Sequence, residues 1–350
     1  MKIVNRSDRH TGRTRRNLVC AVISGVLAAL AIVGITVSAD AKTYAYVFNV
    51  GSGDVSVIDT DSQEVIDTVD VGLRVRWFAS RFFDGKRVWT VDADFKKAEV
   101  VVFDPRTLKT LKRIPFGKGP SFSVELTPDN QFAVAHAAGS NEVVVIDANT
   151  YEIVRRIPVG QFPCDLTLSL DGKLAFEPDR DQDTVSVVDW RSGTTLKTIS
   201  FENGSRPHML TLSPNGKRLW VEERDASMVS VFDTRTFERL ARFPVGKKPA
   251  TNEFTPSGRF TVVTHIGDDV IKIFEADTFK AVKTLRVGKS PVNTAFRPDG
   301  RYAYVTNRLS GTVSVIDMEG LEVVKTLEVG SKPFGIYVFD PSRGEMAGNR

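Results

Sequence analysis

"SPVNTAFRPDGRYAYVTNRLSGTVSVIDMEGLEVVKTLEVG", residues 290–330, carries four short β-rich runs separated by turn signals such as Pro298-Asp299-Gly300. Related units end at Gly72, Gly117, Gly160, Gly204, Gly246 and Gly288, with Gly330 closing the last, at spacings of 45, 43, 44, 42, 42 and 42 residues. A period of 40–45 residues with four strands is the signature of a β-propeller blade. The first copy, "YAYVFNVGSGDVSVIDTDSQEVIDTVDVG" (44–72), lacks an opening strand, and the last stretch, "SKPFGIYVFDP" (331–341), is an opening strand with nothing after it. Joined, the two make one split blade that closes the ring and hides its sheet edges. The expectation is an all-β fold over residues 42–341: a seven-bladed β-propeller with four strands per blade, the C-terminal strand completing the N-terminal blade. Residues 342–350 read as a flexible tail.

The first 41 residues stand apart. A basic stretch ending in "TGRTRRN" leads into a run that is apolar from Leu18 to Val37, followed by Ala39-Asp40-Ala41. That is a secretory signal pattern with an A-x-A cleavage site. The run is also long enough to anchor the chain in a membrane through residues 18–37. Cleavage is the favoured reading, and Thr14-Arg15-Arg16-Asn17-Leu18 resembles a twin-arginine export signal. The expected location is therefore periplasmic or extracellular.

The same segment corrects the charge. The chain has 47 basic and 43 acidic residues, of which six and two fall within 1–41, leaving 41 of each beyond it. Global charge thus gives no case for nucleic acid as a partner. Beyond the leader one cysteine remains, Cys164, so no intramolecular disulfide can form. It reads as a buried, inert thiol.

Tyr304-Val305-Thr306-Asn307, followed by Val313-Ser314-Val315-Ile316-Asp317, resembles the YVTN β-propeller repeat family over nearly all of residues 43–340. The resemblance implies an exported seven-bladed propeller of the kind used for binding and scaffolding. Fold does not fix function.

Seven copies of one blade serve as an internal control: what recurs serves the blade, and what departs from its column is a candidate for function. Asp59, Asp104, Asp147, Asp189, Asp233, Glu275 and Asp317 recur after the third strand and read as turn-capping carboxylates. The glycine closing each copy and the proline after it read as turn chemistry. The residue after that proline does vary: Trp77, Ser121, Cys164, His208, Ala250, Val292 and Phe334. The next position reads Phe78, Phe122, Asp165, Met209, Thr251, Asn293 and Gly335. This loop enters the innermost strand at the mouth of the central channel. Arg74, Arg76, Trp77, Cys164, Asp165, Arg206 and His208 are therefore expected around one opening, with an Arg-Trp-Arg rim suited to an acidic group. A second funnel loop, between strands two and three, reads Asn49, Asp92, Ala137, Asp179, Glu223, His265 and Asn307. It adds Glu223 and His265 to the rim. The runs "EPDRDQD" (177–183) and "VEERDAS" (221–227) read as solvated charge, with a ligand rim as the minority reading. Trp89, Trp190 and Trp220 read as packing between blades.

The leading functional expectation is a non-enzymatic propeller that binds a partner protein or small ligand at this funnel, with no cofactor. Two alternatives come from other classes. His136, His208 and His265 could form a metal centre, since imidazole suits zinc, copper or iron. "VVTHIGDDVIKIF" (262–274) also resembles a stretch in the haem d1-binding propeller of periplasmic cytochrome cd1 nitrite reductases. That resemblance implies a haem d1-like tetrapyrrole met by His265 and His208, although no Cys-x-x-Cys-His is present and the blades here are more regular. The third class is a lactonase-type hydrolase, for which Arg76, His208 and Glu223 fit a His/Arg/Glu set.

Overall fold

Thr312–Asp317 is hydrogen-bonded to Tyr302–Asn307 on one side and to Glu322–Glu328 on the other, and five of its six residues are buried. A strand third in its blade is covered on both faces by the neighbouring blades. Runs such as "TVSVID" are therefore buried almost throughout, with the small polar Thr312 and Ser314 enclosed beside Val313, Val315 and Ile316. The outer strand Glu322–Glu328 has the exposed face that alternation implies. The computed structural model describes residues 42–70, 82–84, 86–94, 96–104, 109–340 and 345–347. Residues 1–41, with the leader and possible anchor, lie outside them.

Among the described residues the chain is all-β, seven antiparallel sheets with one short 3₁₀ turn at Arg180–Gln182. This is the expected seven-bladed propeller. Blades 2 to 7 span 82–118, 124–158, 167–200, 207–244, 249–286 and 291–328. Blade 1 is split as expected: Pro333–Asp340 pairs antiparallel with Tyr44–Asn49, Tyr44 opposite Phe339 and Ala45 opposite Val338. Apolar clusters fill the interfaces between successive blades. Trp220, from blade 5, packs with Phe254 and Phe274 of blade 6. Trp89, Trp190 and Trp220 are all buried, as expected of packing residues.

Three features were not anticipated. First, Glu345–Ala347, within the tail 342–350, adds a fifth strand to blade 1 on the free edge of Pro333–Asp340. That edge is the innermost of its sheet and faces the channel. Second, every outer strand bulges at one shared place, and that of blade 2 bulges again at Phe116. The residues skipped at the shared place are Ile66, Leu111, Val154, Leu196, Leu240, Val282 and Val324. All seven are exposed apolar side chains. A bulge twists an unpaired edge away from a flat template, which blunts sheet-to-sheet association.

Third, the closing glycines serve close approach rather than a turn. A Cβ on Gly288 would lie 2.7 Å from the Cβ and Cγ of Asn307 in the next blade. Gly160 stands likewise against Asp179, Gly246 against His265 and Gly330 against Asn49. Gly204 is the exception, with φ +80 and open space around it; there the reading as turn chemistry holds. Five of the carboxylates after strand three behave as expected, whereas Glu275 accepts the Thr278 hydroxyl at 2.6 Å. Asp147 accepts Asn149 N and Thr150 N at 2.8 Å each, and Asp59, Asp189, Asp233 and Asp317 make the same pair of bonds.

Candidate functional site

The second funnel loop proves to be a clasp within each blade. Asn307 Nδ2 donates to Thr312 Oγ1 at 3.0 Å and to Ser314 Oγ at 2.9 Å, pinning the end of strand two to the start of strand three. Asn49 does the same with Asp54 and Ser56, and Asp179 accepts from Thr184 and Ser186. Glu223 accepts Ser230 Oγ at 2.7 Å and is gripped by Arg242 at 2.8–3.2 Å, its side chain fully buried. His265 is also fully buried, with Nδ1 3.3 Å from its own hairpin's Val270 carbonyl. Burial holds that imidazole down at about 4, so it is neutral. The expectation that Glu223 and His265 line the rim is therefore corrected. The reason is strand pleat: both point into the hairpin. The signal was present, because Asn49, Asp179, Glu223 and Asn307 each have a serine seven residues on, whereas Asp92, Ala137 and His265 are followed there by Glu99, Val144 and Lys272.

His136 occupies the inward position one residue before that column and faces blade 4. Phe122 N donates to its Nε2 at 3.1 Å. Its ring proton therefore sits on Nδ1, 3.3 Å from Ser123 Oγ and 3.4 Å from Glu177 Oε2. Burial lowers the imidazole to about 3 and lifts Glu177 well above the carboxylate range, aided by Asp179 and Asp165. The pair is neutral, a carboxylic acid beside an imidazole, rather than a salt bridge. Desolvation likewise raises Glu222 well above its usual range. The three histidines thus do not converge, and among the described residues no three His, Cys, Asp or Glu side chains are set to hold a metal ion. The three-histidine metal centre is corrected accordingly.

Asp165 is buried rather than at a rim. Its Oδ2 accepts Leu210 N of blade 5 at 3.0 Å, joining two inner strands. Burial lifts its carboxyl to about 7. One blade over, Glu125 does the same for Leu168 N at 2.8 Å and is lifted to about 8. Strand pairing also shifts one sequence register. Leu126 stands opposite Ala133 as Leu168 stands opposite Ala175. Phe122, not Ser121, is therefore level with Cys164 and His208, because the loop from Gly117 to Pro120 holds one extra residue.

What does gather at the opening lies at blades 4 and 5. Cys164 Sγ donates to the His208 carbonyl at 3.0 Å. Burial pushes its thiol well up, Glu177 and Asp165 acting the same way, so it is inert as expected. His208 is half-buried, and its Nδ1 has no partner. Burial first, then the charges of Arg224, Arg180 and Arg206, hold its imidazole well below the ordinary range. Arg206 pairs with Asp181 at 2.6 Å and with Asp225 at 3.6 Å, while Arg180 pairs with Asp181 at 2.9 Å and lies 3.8 Å over the Phe162 ring. Arg224 differs from both. Its hydrogen bond is Nε to the Pro249 carbonyl at 3.4 Å, and among the described residues no carboxylate lies within ion-pair distance.

Arg180 and Arg224 are residues that sequence reasoning passed over inside "EPDRDQD" and "VEERDAS". Those runs are not solvated faces. Leu174–Asp179 and Arg218–Glu223 are strands in which Glu177, Asp179, Glu222 and Glu223 are buried, and only the residues after each strand reach solvent. Of the expected rim, the structure brings Cys164, Arg206 and His208 together, with Asp165 beneath. Arg74, Arg76 and Trp77 lie outside the described residues.

Residues 33–296 match the YNCE-like beta-propeller family. The chain belongs to that family. Among curated proteins none matches the sequence. Several solved structures share the fold. A putative 6-phosphogluconolactonase from Bacteroides fragilis is 15% identical at TM-score 0.72, the match covering 87% of this chain and all of that one. The periplasmic gluconolactonase of Pseudomonas aeruginosa is 17% identical at 0.68, covering 86% and 99%. A dihydro-haem d1 dehydrogenase in complex with DHE is 17% identical at 0.64, covering 90% and 79%. At such identities the likeness speaks for the fold alone.

Proposed function

We propose that this YNCE-like propeller is an exported, non-enzymatic binding protein whose partner or small ligand seats on the funnel face at blades 4 and 5, around His208. The observation that carries this is a departure from the repeat. At the His208 position the other described blades hold Phe122, Cys164, Ala250, Val292 and Phe334; at the Arg224 position blades 1, 3 and 6 hold Val50, Ala138 and Ile266, while blades 4 and 7 hold Arg180 and Arg308. The fold does not require either polar group there. Both are half-buried at the opening, and among the described residues neither lies within ion-pair distance of a carboxylate. Export rests on the leader pattern of residues 1–41.

A non-enzymatic role is supported by the state of the reactive groups. The Cys164 thiol is held protonated by burial. Glu223, one third of the hydrolase set, is locked between Ser230 and Arg242. His208→Phe is the direct test, because blades 1 and 3 accommodate phenylalanine at that position. A thermal-shift screen of small molecules against the chain should yield hits that His208→Phe abolishes. Hits that survive the substitution would refute this site.

A tetrapyrrole or metal seated on His208 is the rival reading. It is favoured by one observation: His208 is the sole partly exposed histidine among the described residues, His136 and His265 being sealed. Elemental analysis and a visible spectrum of the purified chain decide it, and a Soret-region band or stoichiometric metal would replace the leading reading.

A further inference from the structure

The geometry points to a compact oxyanion, a carboxylate or phosphate group, as what the funnel of blades 4 and 5 receives, held by the Arg224 guanidinium beside the free Nδ1 edge of His208. This rests on the funnel reading above and names its ligand class.

The first support is the distribution of charge. Arg180 and Arg206 share Asp181, and Arg206 also reaches Asp225. Asp183, the remaining acid of this loop pair, accepts the backbone Gly204 N at 2.8 Å and Arg206 N at 2.6 Å. Beneath the opening, burial lifts the Glu177 and Glu222 carboxyls well above the usual carboxylate range, which weakens the negative charge they set against the guanidinium. Arg224 is left as a half-buried cation whose one described side-chain hydrogen bond is long, with the charge of Asp225 acting on it from outside ion-pair distance. A guanidinium carries five N–H donors in a planar fork that matches a carboxylate or phosphate. Removing such a charge from water without a counter-ion is unfavourable.

The second support is independent of charge. The Nδ1 of His208 is enclosed and unpartnered. Its backbone is fixed from behind, the Cys164 thiol donating to its carbonyl at 3.0 Å. In its neutral form the ring can present Nδ1–H to an anion oxygen without adding a titratable charge to the pocket. Arg206, at φ 50, sits in the left-handed region directly before Pro207, and its backbone bond to Asp183 holds that turn in place. The backbone that carries His208 is therefore fixed before binding, which limits the entropy cost of ordering it.

Isothermal titration of the chain with inorganic phosphate, with acetate and with a neutral hexose, at matched ionic strength, tests the assignment. Saturable binding of phosphate or acetate is expected, and whichever anion binds identifies the source of the charge. Arg224→Gln should weaken it about tenfold to a hundredfold, the worth of a charge-assisted contact. Arg224→Lys, which keeps the charge and loses the fork, should fall between. Circular dichroism confirms that each variant is folded, and Arg191→Gln, on a blade 4 turn away from the site, should bind as the parent does. No saturable binding of either anion, or equal binding by the Arg224→Gln and Arg191→Gln variants, overturns the oxyanion assignment. If the hexose or a screened neutral compound instead binds and His208→Phe blocks it, the oxyanion falls and the funnel reading stands. If His208→Phe alters nothing that binds, both fall.

Discussion

Replacing Asn307 with alanine removes two buried hydrogen bonds, to Thr312 Oγ1 at 3.0 Å and Ser314 Oγ at 2.9 Å. Each such bond is worth about 1 kcal/mol net, so the pair contributes about 2 kcal/mol. Overpacking adds nothing, because alanine is smaller than asparagine and blade 3 already holds Ala137 in this column. Ser314→Ala alone should cost about 1 kcal/mol. The informative quantity is their coupling. If the asparagine acts through the serine, the double variant should be less unstable than the sum by about 0.5–1 kcal/mol, which urea unfolding followed by tryptophan fluorescence can resolve. Blade 6 supplies the control: His265 makes no bond to Lys272, the residue at the serine position, so His265→Ala and Lys272→Ala should add within about 0.5 kcal/mol. A coupling near zero for Asn307 and Ser314, or an Asn307→Ala cost below about 0.5 kcal/mol, would refute the clasp.

The same geometry sets other outcomes. Gly288→Ala should destabilise by about 1–3 kcal/mol, since its Cβ would meet Asn307 at 2.7 Å. Gly204→Ala should cost about 1 kcal/mol, through its φ of +80 alone; equal melting of the two variants would contradict the close-approach reading. Asp165 and Glu125 are raised to about 7 and about 8 from ordinary values near 4, so the folded chain holds protons the unfolded chain releases. Their stabilisation is full below about pH 4, drains as pH rises through 7 to 8, and is level above; it amounts to a few kcal/mol at about 1.4 kcal/mol per pH unit for each group. A urea midpoint that stays flat between about pH 5 and pH 8.5 would count against it. Val324→Thr should change stability by less than about 0.5 kcal/mol, the side chain being exposed. Deleting Val324 removes the bulge and flips the rest of the strand's faces. Loss of stability or concentration-dependent association, read by light scattering, is expected of the deletion alone.

The repeat period, the incomplete first copy and the lone final strand determined seven blades and the way the ring closes, because blade length and turn chemistry are local properties. The capping role of the aspartates after strand three was legible for the same reason. The clasp was legible too, in the pairing of Asn49, Asp179, Glu223 and Asn307 with a serine seven residues on, a distance set by one hairpin. What only the tertiary structure decided lies between blades. Gly160, Gly246, Gly288 and Gly330 are glycine because the next blade's side chain fills the space of a Cβ, and no local sequence rule carries that fact. The acidic runs divide into buried acids and exposed ones by strand pleat, and burial then sets their protonation. Cys164, Arg180, His208 and Arg224 belong to two blades and four different segments, and they meet because successive blades stack with their loops on one face. Sequence spacing records the order of these residues, while the contact between stacked sheets sets their distances.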